Sequence, residues 1–164
     1  MVEENETKLH NLTDNWTLWF HNPETDDWSE QSYIKIYTFN TIEQFCNLFQ
    51  KIPTLNLSTG MFFMMKNDIL PLWEDKNNIN GGCWSYKVGK KDAAQGYLDL
   101  LVSTISENVC GDHPEIINGA SISPKKGFCI IKVWNNNSKY SDPNLLSSTI
   151  NHIDLKQTIY KSYS

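Results

Sequence analysis

A tryptophan followed directly by a carboxylate can offer one ligand both a flat π-face and a charged hydrogen-bond acceptor. Trp73 and Glu74 form such a pair in the stretch Leu70-Pro71-Leu72-Trp73-Glu74-Asp75-Lys76-Asn77-Asn78-Ile79-Asn80-Gly81-Gly82-Cys83-Trp84. A second tryptophan in polar company, Trp28, is flanked by Asp27 and Ser29 at the far end of the turn-rich run His21–Asp27. Two parallel indoles ~7 Å apart would hold a planar ring between them. If that ring is cationic, each indole adds ~0.5–2 kcal/mol. Glu74 would then accept N–H donors from the ring's edge. A guanine alkylated at N7 fits: its positive charge and more acidic N1–H both strengthen the bond to a carboxylate, and plain guanine gains less. The bland alternatives are core tryptophans and a solvated loop glutamate. Trp16 and Trp84, inside strand patterns, take the core reading.

Lys125, Lys126 and Lys132 bracket the turn and strand leading to Trp134, and together they could hold a phosphate chain. Any one of them could equally be an ordinary solvated lysine. All fourteen basic residues are lysines, so no bidentate guanidinium is available and a phosphate would be held by point charges. A net charge of −5 argues against a broad nonspecific grip on nucleic acid. The four histidines have no Ser or Cys elbow nearby and there is no Gly-rich phosphate loop, so no enzyme is expected. Cys46, Cys83, Cys110 and Cys129 lack any C-x-x-C spacing. Neither a metal, nor another cofactor, nor a disulfide framework is expected, and a reduced cytoplasmic location is. No apolar run is long enough to span a bilayer, and no signal peptide or membrane partner is expected. Eighteen asparagines and no arginine suggest an AT-rich genome, such as that of a large DNA virus.

The elements that must position these residues are read from periodicity. Residues 1–8 are polar and acidic, a disordered tail, and residues 9–164 form one domain. Alternation predicts strands over 12–20, 33–39, 60–66, 83–88, 116–123, 128–134 and 158–160. Thr41 with Gln44 resembles a capping box that opens a helix to about Lys51. Asp92 with Gln95 suggests a second helix with the stripe Tyr97, Leu98, Leu101, Val102 and Ile105. Ser141-Asp142-Pro143 opens a third, with Leu146, Ile150 and Ile153 buried. Short connections favour an α+β fold, a mostly antiparallel sheet with three helices on one face.

With these residues in place, the chain resembles the eukaryotic translation initiation factor 4E family of messenger-RNA cap-binding proteins. His10-Asn11-Leu12 with Trp16-Thr17-Leu18-Trp19-Phe20 resembles the family's opening strand. Trp73-Glu74-Asp75, Asn78, Gly81-Gly82 and Trp84 match its W-E-D…N…G-G-x-W spacing. The resemblance implies a curved sheet with helices on the convex face and a cap slot on the concave side. It implies Trp28 and Trp73 as the stacking pair, Glu74 as the guanine reader, and Trp134 as the methyl contact. Lys125, Lys126 and Lys132 would serve the phosphates.

This chain departs from the family at Cys83, where the family has a basic residue, and in lacking an arginine at the lysine-bearing hairpin. The family's C-terminal loop is missing or much shortened. On the convex side, the family's partner-binding positions correspond to His10, Ile42, Cys46, Leu98, Asp99 and Val102, with Cys46 replacing a tryptophan. The resemblance implies a monomer that binds 7-methylguanosine-capped messenger RNA and promotes translation initiation, with a scaffold-type initiation factor or a private partner on the convex face. The alternatives are a cap-binding repressor that recruits no scaffold, a cap- or nucleotide-processing enzyme, and a degenerate relative acting only as a protein-interaction module.

Overall fold

The computed structural model describes residues 8–52, 56–147, 150, 153 and 157–164. Apart from Lys8, the expected N-terminal tail lies outside them. Seven strands form one antiparallel sheet in the order β2-β1-β3-β5-β6-β4-β7. They are β1 (Asn11–His21), β2 (Tyr33–Thr41), β3 (Met61–Lys66), β4 (Gly82–Gly89), β5 (Ile117–Pro124), β6 (Phe128–Asn135) and β7 (Ile159–Ser162). Among the described residues two α-helices, α1 (Ile42–Lys51) and α2 (Lys90–Ile105), cover the convex face of the curved sheet.

Alternation along each strand sorts the side chains between two cores, because successive residues point to opposite faces. Phe62 and Met64 join Leu18, Trp84, Tyr86, Ile122 and Ile131 under the helices. Phe63 and Met65 point the other way and join Trp134 in a smaller concave cluster edged by Trp19, Tyr33, Met61 and Tyr163. The two-residue period therefore creates both the main core and an aromatic floor for the concave side. Trp16 and Trp84 are core residues, as their strand positions predicted.

Helix α1 starts where expected. Thr41 Oγ1 accepts from Gln44 N at 3.2 Å, and Gln44 Oε1 accepts from Asn40 N at 2.9 Å. The second helix begins earlier than the sequence suggested, with Gly89 at its N-cap and Asp92 inside the first turn. There the carboxylate meets the positive end of the helix dipole instead of capping it. Tyr97 is fully buried and its hydroxyl donates to Ala120 O at 3.0 Å, tying α2 to the sheet. Desolvation raises the Tyr97 pKa well above the ordinary tyrosine value.

The expected third helix is corrected. Among the described residues there is only a 3₁₀ turn, Pro143–Leu145, capped by Asp142 Oδ1 accepting from Asn144 N. Leu146 is extended, and Ser147 N donates to Val109 O at 2.8 Å, which removes it from any helical ladder. Serine side chains compete with the helix for backbone partners, so Ser147 and its neighbours resist propagation. Leu146, Ile150 and Ile153 are buried as expected, and the rest of that segment lies outside the described residues.

Candidate functional site

A cleft of about 380 Å³ opens on the concave face. Its lining includes Trp28, Trp73, Glu74, Lys125, Lys132 and Trp134, six of the seven residues nominated for one ligand. Lys126 is not among them; it is exposed on the β5–β6 turn, where Gly127 takes φ +83°. Trp28 and Trp73 are 53% and 49% exposed, far more than a core indole would be. Trp134 is nearly buried. Its Nε1 donates to Ser121 Oγ at 3.0 Å, and its ring meets Phe63 edge-on at 6.2 Å, so it serves as floor rather than wall.

The loop that carries Trp73 and Glu74 is held by its own polar residues. Asp75 accepts from Leu70 N at 3.0 Å and from Asn77 N at 2.7 Å. Asn78 is fully buried and donates to Leu70 O and Leu72 O. Asn118 on β5 donates in turn to Asn77 O and Asn78 Oδ1, both at 2.9 Å. A buried amide with its partners satisfied fixes a loop that has no secondary structure of its own. The Gly-Gly pair answers a steric need, since a Cβ at Gly81 would lie 1.9 Å from Asn135 O and one at Gly82 2.2 Å from Lys161 O.

Trp28 is fixed differently. The His21 ring, fully buried at the end of β1, stacks beneath it with centroids 4.3 Å apart and planes 6° from parallel. His21 Nε2 donates to Asp27 O at 2.8 Å, which anchors the residue next to Trp28. Asp27 Oδ1 accepts from Ser29 N at 2.9 Å, and hydrogen bonding to Ser29 lowers the Asp27 pKa. Trp73 has a looser neighbour, Tyr163, at 6.5 Å and 37°. Tyr163 also packs against Trp134 at 5.6 Å, and burial raises its pKa.

Charge is divided across the cleft. Burial, reinforced by the Glu74 carboxylate, pushes the Tyr33 hydroxyl up to about 12. Lys125 and Lys132 stand on the β5–β6 side. Cys83 is buried between Trp134 on β6 and Lys161 on β7 in the strand register, with its Sγ 3.7 Å from Ser85 Oγ. A planar ring with N–H donors on one edge and anionic groups trailing from the other matches this polarity. His21, Asn118 and Tyr163 were not nominated from sequence. Asn118 is set by long-range contacts, His21 by a loop that folds back on it, and neither carries a periodic signal; Tyr163 sits beyond the last strand.

The convex residues separate into two groups. Ile42, Cys46 and Val102 line an apolar groove of about 480 Å³ between α1 and α2, together with Leu12, Phe45 and Ile105. Leu98 is buried, and Asp99 accepts from Gln95 Nε2 at 2.9 Å; neither lines the groove. His10 lies outside it too, with Nδ1 2.6 Å from Glu43 Oε1 and its backbone N–H shared between both Glu43 oxygens. These contacts, the His10 hydrogen bonds first, lower the Glu43 pKa to about 2.

Comparison with known proteins accords with this architecture. The family model described as Eukaryotic initiation factor 4E matches residues 11–163. Translation initiation factor 4E of Saccharomyces cerevisiae is 33% identical over 133 residues, which cover 76% of this chain and 61% of the yeast protein. The chain thus spans less than two thirds of that relative's length. Ascaris suum eIF4E-3, solved in complex with m7G cap, superposes with a TM-score of 0.71 at 28% identity, over 84% of this chain and 78% of that one. Caenorhabditis elegans eIF4E-3, solved with the 4E-binding protein Mextli and a cap analog, gives 0.78 at 22% identity, over 95% and 94% of the two chains, and bears on the fold alone. The matched span covers nearly the whole chain, and the chain belongs to the eukaryotic initiation factor 4E family, a family of initiation factors and not of enzymes.

Proposed function

We propose that this protein binds the 7-methylguanosine cap of messenger RNA and promotes translation initiation. The observation that carries the reading is the meeting of half-exposed Trp28 and Trp73 with Glu74 in one cleft that has lysines on its opposite side. The methylated base stacks between the two indoles, each adding ~0.5–2 kcal/mol of cation–π attraction on top of the stacking itself. Glu74 accepts the N–H donors of the base edge, a charge-assisted bond worth ~1.5–3 kcal/mol. Trp134 forms the floor beside the methyl group, and Lys125 and Lys132 take the phosphates. Lys126, one residue along the same turn, adds charge without lining the cleft. Discrimination against unmethylated guanine comes from the ring's positive charge. The cap complex of the Ascaris suum relative supports this reading.

The free thiols of Cys46, Cys83, Cys110 and Cys129 support a cytoplasmic setting, and the protein acts as a monomer. The groove at Ile42, Cys46 and Val102 takes the partner, a scaffold-type factor or one fitted to Cys46. A second reading, a cap-binding repressor that recruits no scaffold, is favoured by one observation: Leu98 and Asp99 are drawn away from that groove. A pull-down with the scaffold's helical peptide separates the two, since the repressor reading expects none retained.

The test of the main reading is a titration that follows tryptophan fluorescence. Strong quenching by 7-methyl-GTP and little by GTP is expected. An equal response to both ligands would refute the charge-based mechanism.

A further inference from the structure

We infer that the concave surface of β6, β4 and β7 is a track for the phosphodiester chain that follows the cap, carried by Lys132, Lys87 and Lys161. The inference rests on the cap-binding reading of the cleft, where Lys132 stands, and extends it to residues outside the cleft.

The strand registers supply the geometry. Lys132 pairs with Ser85 on β4, and Ser85 with Ile159 on β7. Cys83 pairs with Trp134 on one side and Lys161 on the other, while Lys87 pairs with Ile130. Trp134, Lys132 and Ile130 all line the concave cleft, so Lys87, Ser85, Cys83, Ile159 and Lys161 share that face. With strands about 4.8 Å apart and 3.4 Å per residue, Lys87 lies about 8 Å from Lys132 across the sheet, and Lys161 about 12 Å. Both stand nearer the β7 edge than Lys132, with Lys87 toward the β5–β6 turn and Lys161 toward the opposite end of the strands, so the two flank Lys132 along the sheet.

Charge and exposure point the same way. None of the sequences of β4, β5, β6 and β7 contains Asp or Glu, in a chain with nineteen acidic residues. Lys87 and Lys161 are exposed, and Ile159 is 71% exposed beside them. Lys87 Nζ lies over the Phe128 ring at 4.3 Å, so a cation and a partly exposed aromatic share one spot. Lysines interleaved with apolar and aromatic surface are what a single-stranded nucleic acid takes without base readout. Where the family's basic residue is lost at Cys83, Lys161 restores a charge one strand further out.

The test compares 7-methyl-GTP, a capped RNA oligomer of about ten nucleotides and the same oligomer uncapped. Each is titrated against the wild-type protein, Lys87→Ala/Lys161→Ala, and the control Lys8→Ala/Lys91→Ala over a salt series. The track variant should keep wild-type affinity for 7-methyl-GTP and bind the capped oligomer roughly three- to tenfold more weakly. Its log–log salt slope should be shallower by about 1.4, two single-strand phosphate contacts. Equal slopes for track and control variants would overturn the inference. Should 7-methyl-GTP fail to bind wild-type protein, the cleft reading fails, and the uncapped oligomer at low salt still decides the track. Weaker binding by the track variant alone supports it, and no difference between the variants overturns it. Binding of an acidic peptide through the same lysines, with no RNA bound, also overturns it.

Discussion

The concave cleft and the convex groove are close in size, about 380 and 480 Å³, yet they are built on opposite principles. The cleft sets rings, a carboxylate and lysines around one space, and each wall has an identifiable support: His21 beneath Trp28, and Asp75, Asn78 and Asn118 behind Trp73 and Glu74. The groove is almost wholly apolar, framed by Phe45, Phe49, Val102 and Ile105, with Cys46 on its wall. Recognition by directed charge tolerates little change, because each polar group left unmatched is costly. Recognition by apolar area tolerates repacking. The difference accounts for a chain that keeps Trp73-Glu74-Asp75 and Gly81-Gly82 beside the cleft while its apolar groove carries Cys46.

The sharpest way to break this comparison is to remove a wall of the cleft. Trp28→Ala or Trp73→Ala should cost about 2–4 kcal/mol of 7-methyl-GTP binding, roughly thirty- to a thousandfold, measured by calorimetry. Thermal stability should change little, since both indoles are half exposed. A matching loss of stability would show that the tryptophans are structural.

Glu74→Gln should have a smaller and more selective effect. It keeps an acceptor and removes the charge, so methylated-cap affinity should fall by about 1–2 kcal/mol, with the preference over GTP falling alongside it. An unchanged preference would place discrimination elsewhere, at Trp134 and the methyl group.

Cys46→Trp addresses the other face. It should leave 7-methyl-GTP affinity at the wild-type value and increase binding of a scaffold helix by about 1–2 kcal/mol, as expected for an indole restored at an interface. Surface plasmon resonance with the peptide and the cap analogue on the same sample reads both.

The smallest effect is expected at the edge of α1. The Glu43 pKa is lowered in the folded protein from its ordinary 4.5 to about 2. Its contact with His10 therefore stabilises the fold above pH 4.5, and that contribution is lost as pH falls toward about 2. Glu43→Gln should flatten this part of the acid-unfolding curve and leave the neutral-pH cap titration unchanged. Identical acid curves for variant and wild type would show that the exposed pair contributes nothing.

Much of this was legible in the chain because the signals are local. Strand β6 alternates over most of its length, Thr41 and Gln44 announce α1, and Trp28 and Trp73 stand in segments too polar to be core. Most of what was not legible depends on how segments meet in the fold. Among the described residues the expected third helix does not continue past Leu145, where Leu146 is extended and Ser147 N finds Val109 O, a partner far away in sequence. Helix α2 has its N-cap at Gly89 and not Asp92, since the helix follows directly from β4. His21 read as an ordinary loop residue until the fold laid it flat against Trp28. Asn118 was hidden for the same reason, because its role exists only once β5 meets the Trp73 loop.

The unequal backing of the two indoles has a kinetic consequence. Trp28 is clamped face to face on a buried ring 4.3 Å away, while Trp73 leans on Tyr163 at 6.5 Å and a tilt of 37°. One indole has a close face-to-face backing and the other a distant, tilted one. On the proposed cap-binding reading, an incoming base would settle on Trp28 before Trp73 closes over it. Mutations behind Trp28 would then slow capture, and those behind Trp73, Tyr163 first among them, would shorten residence.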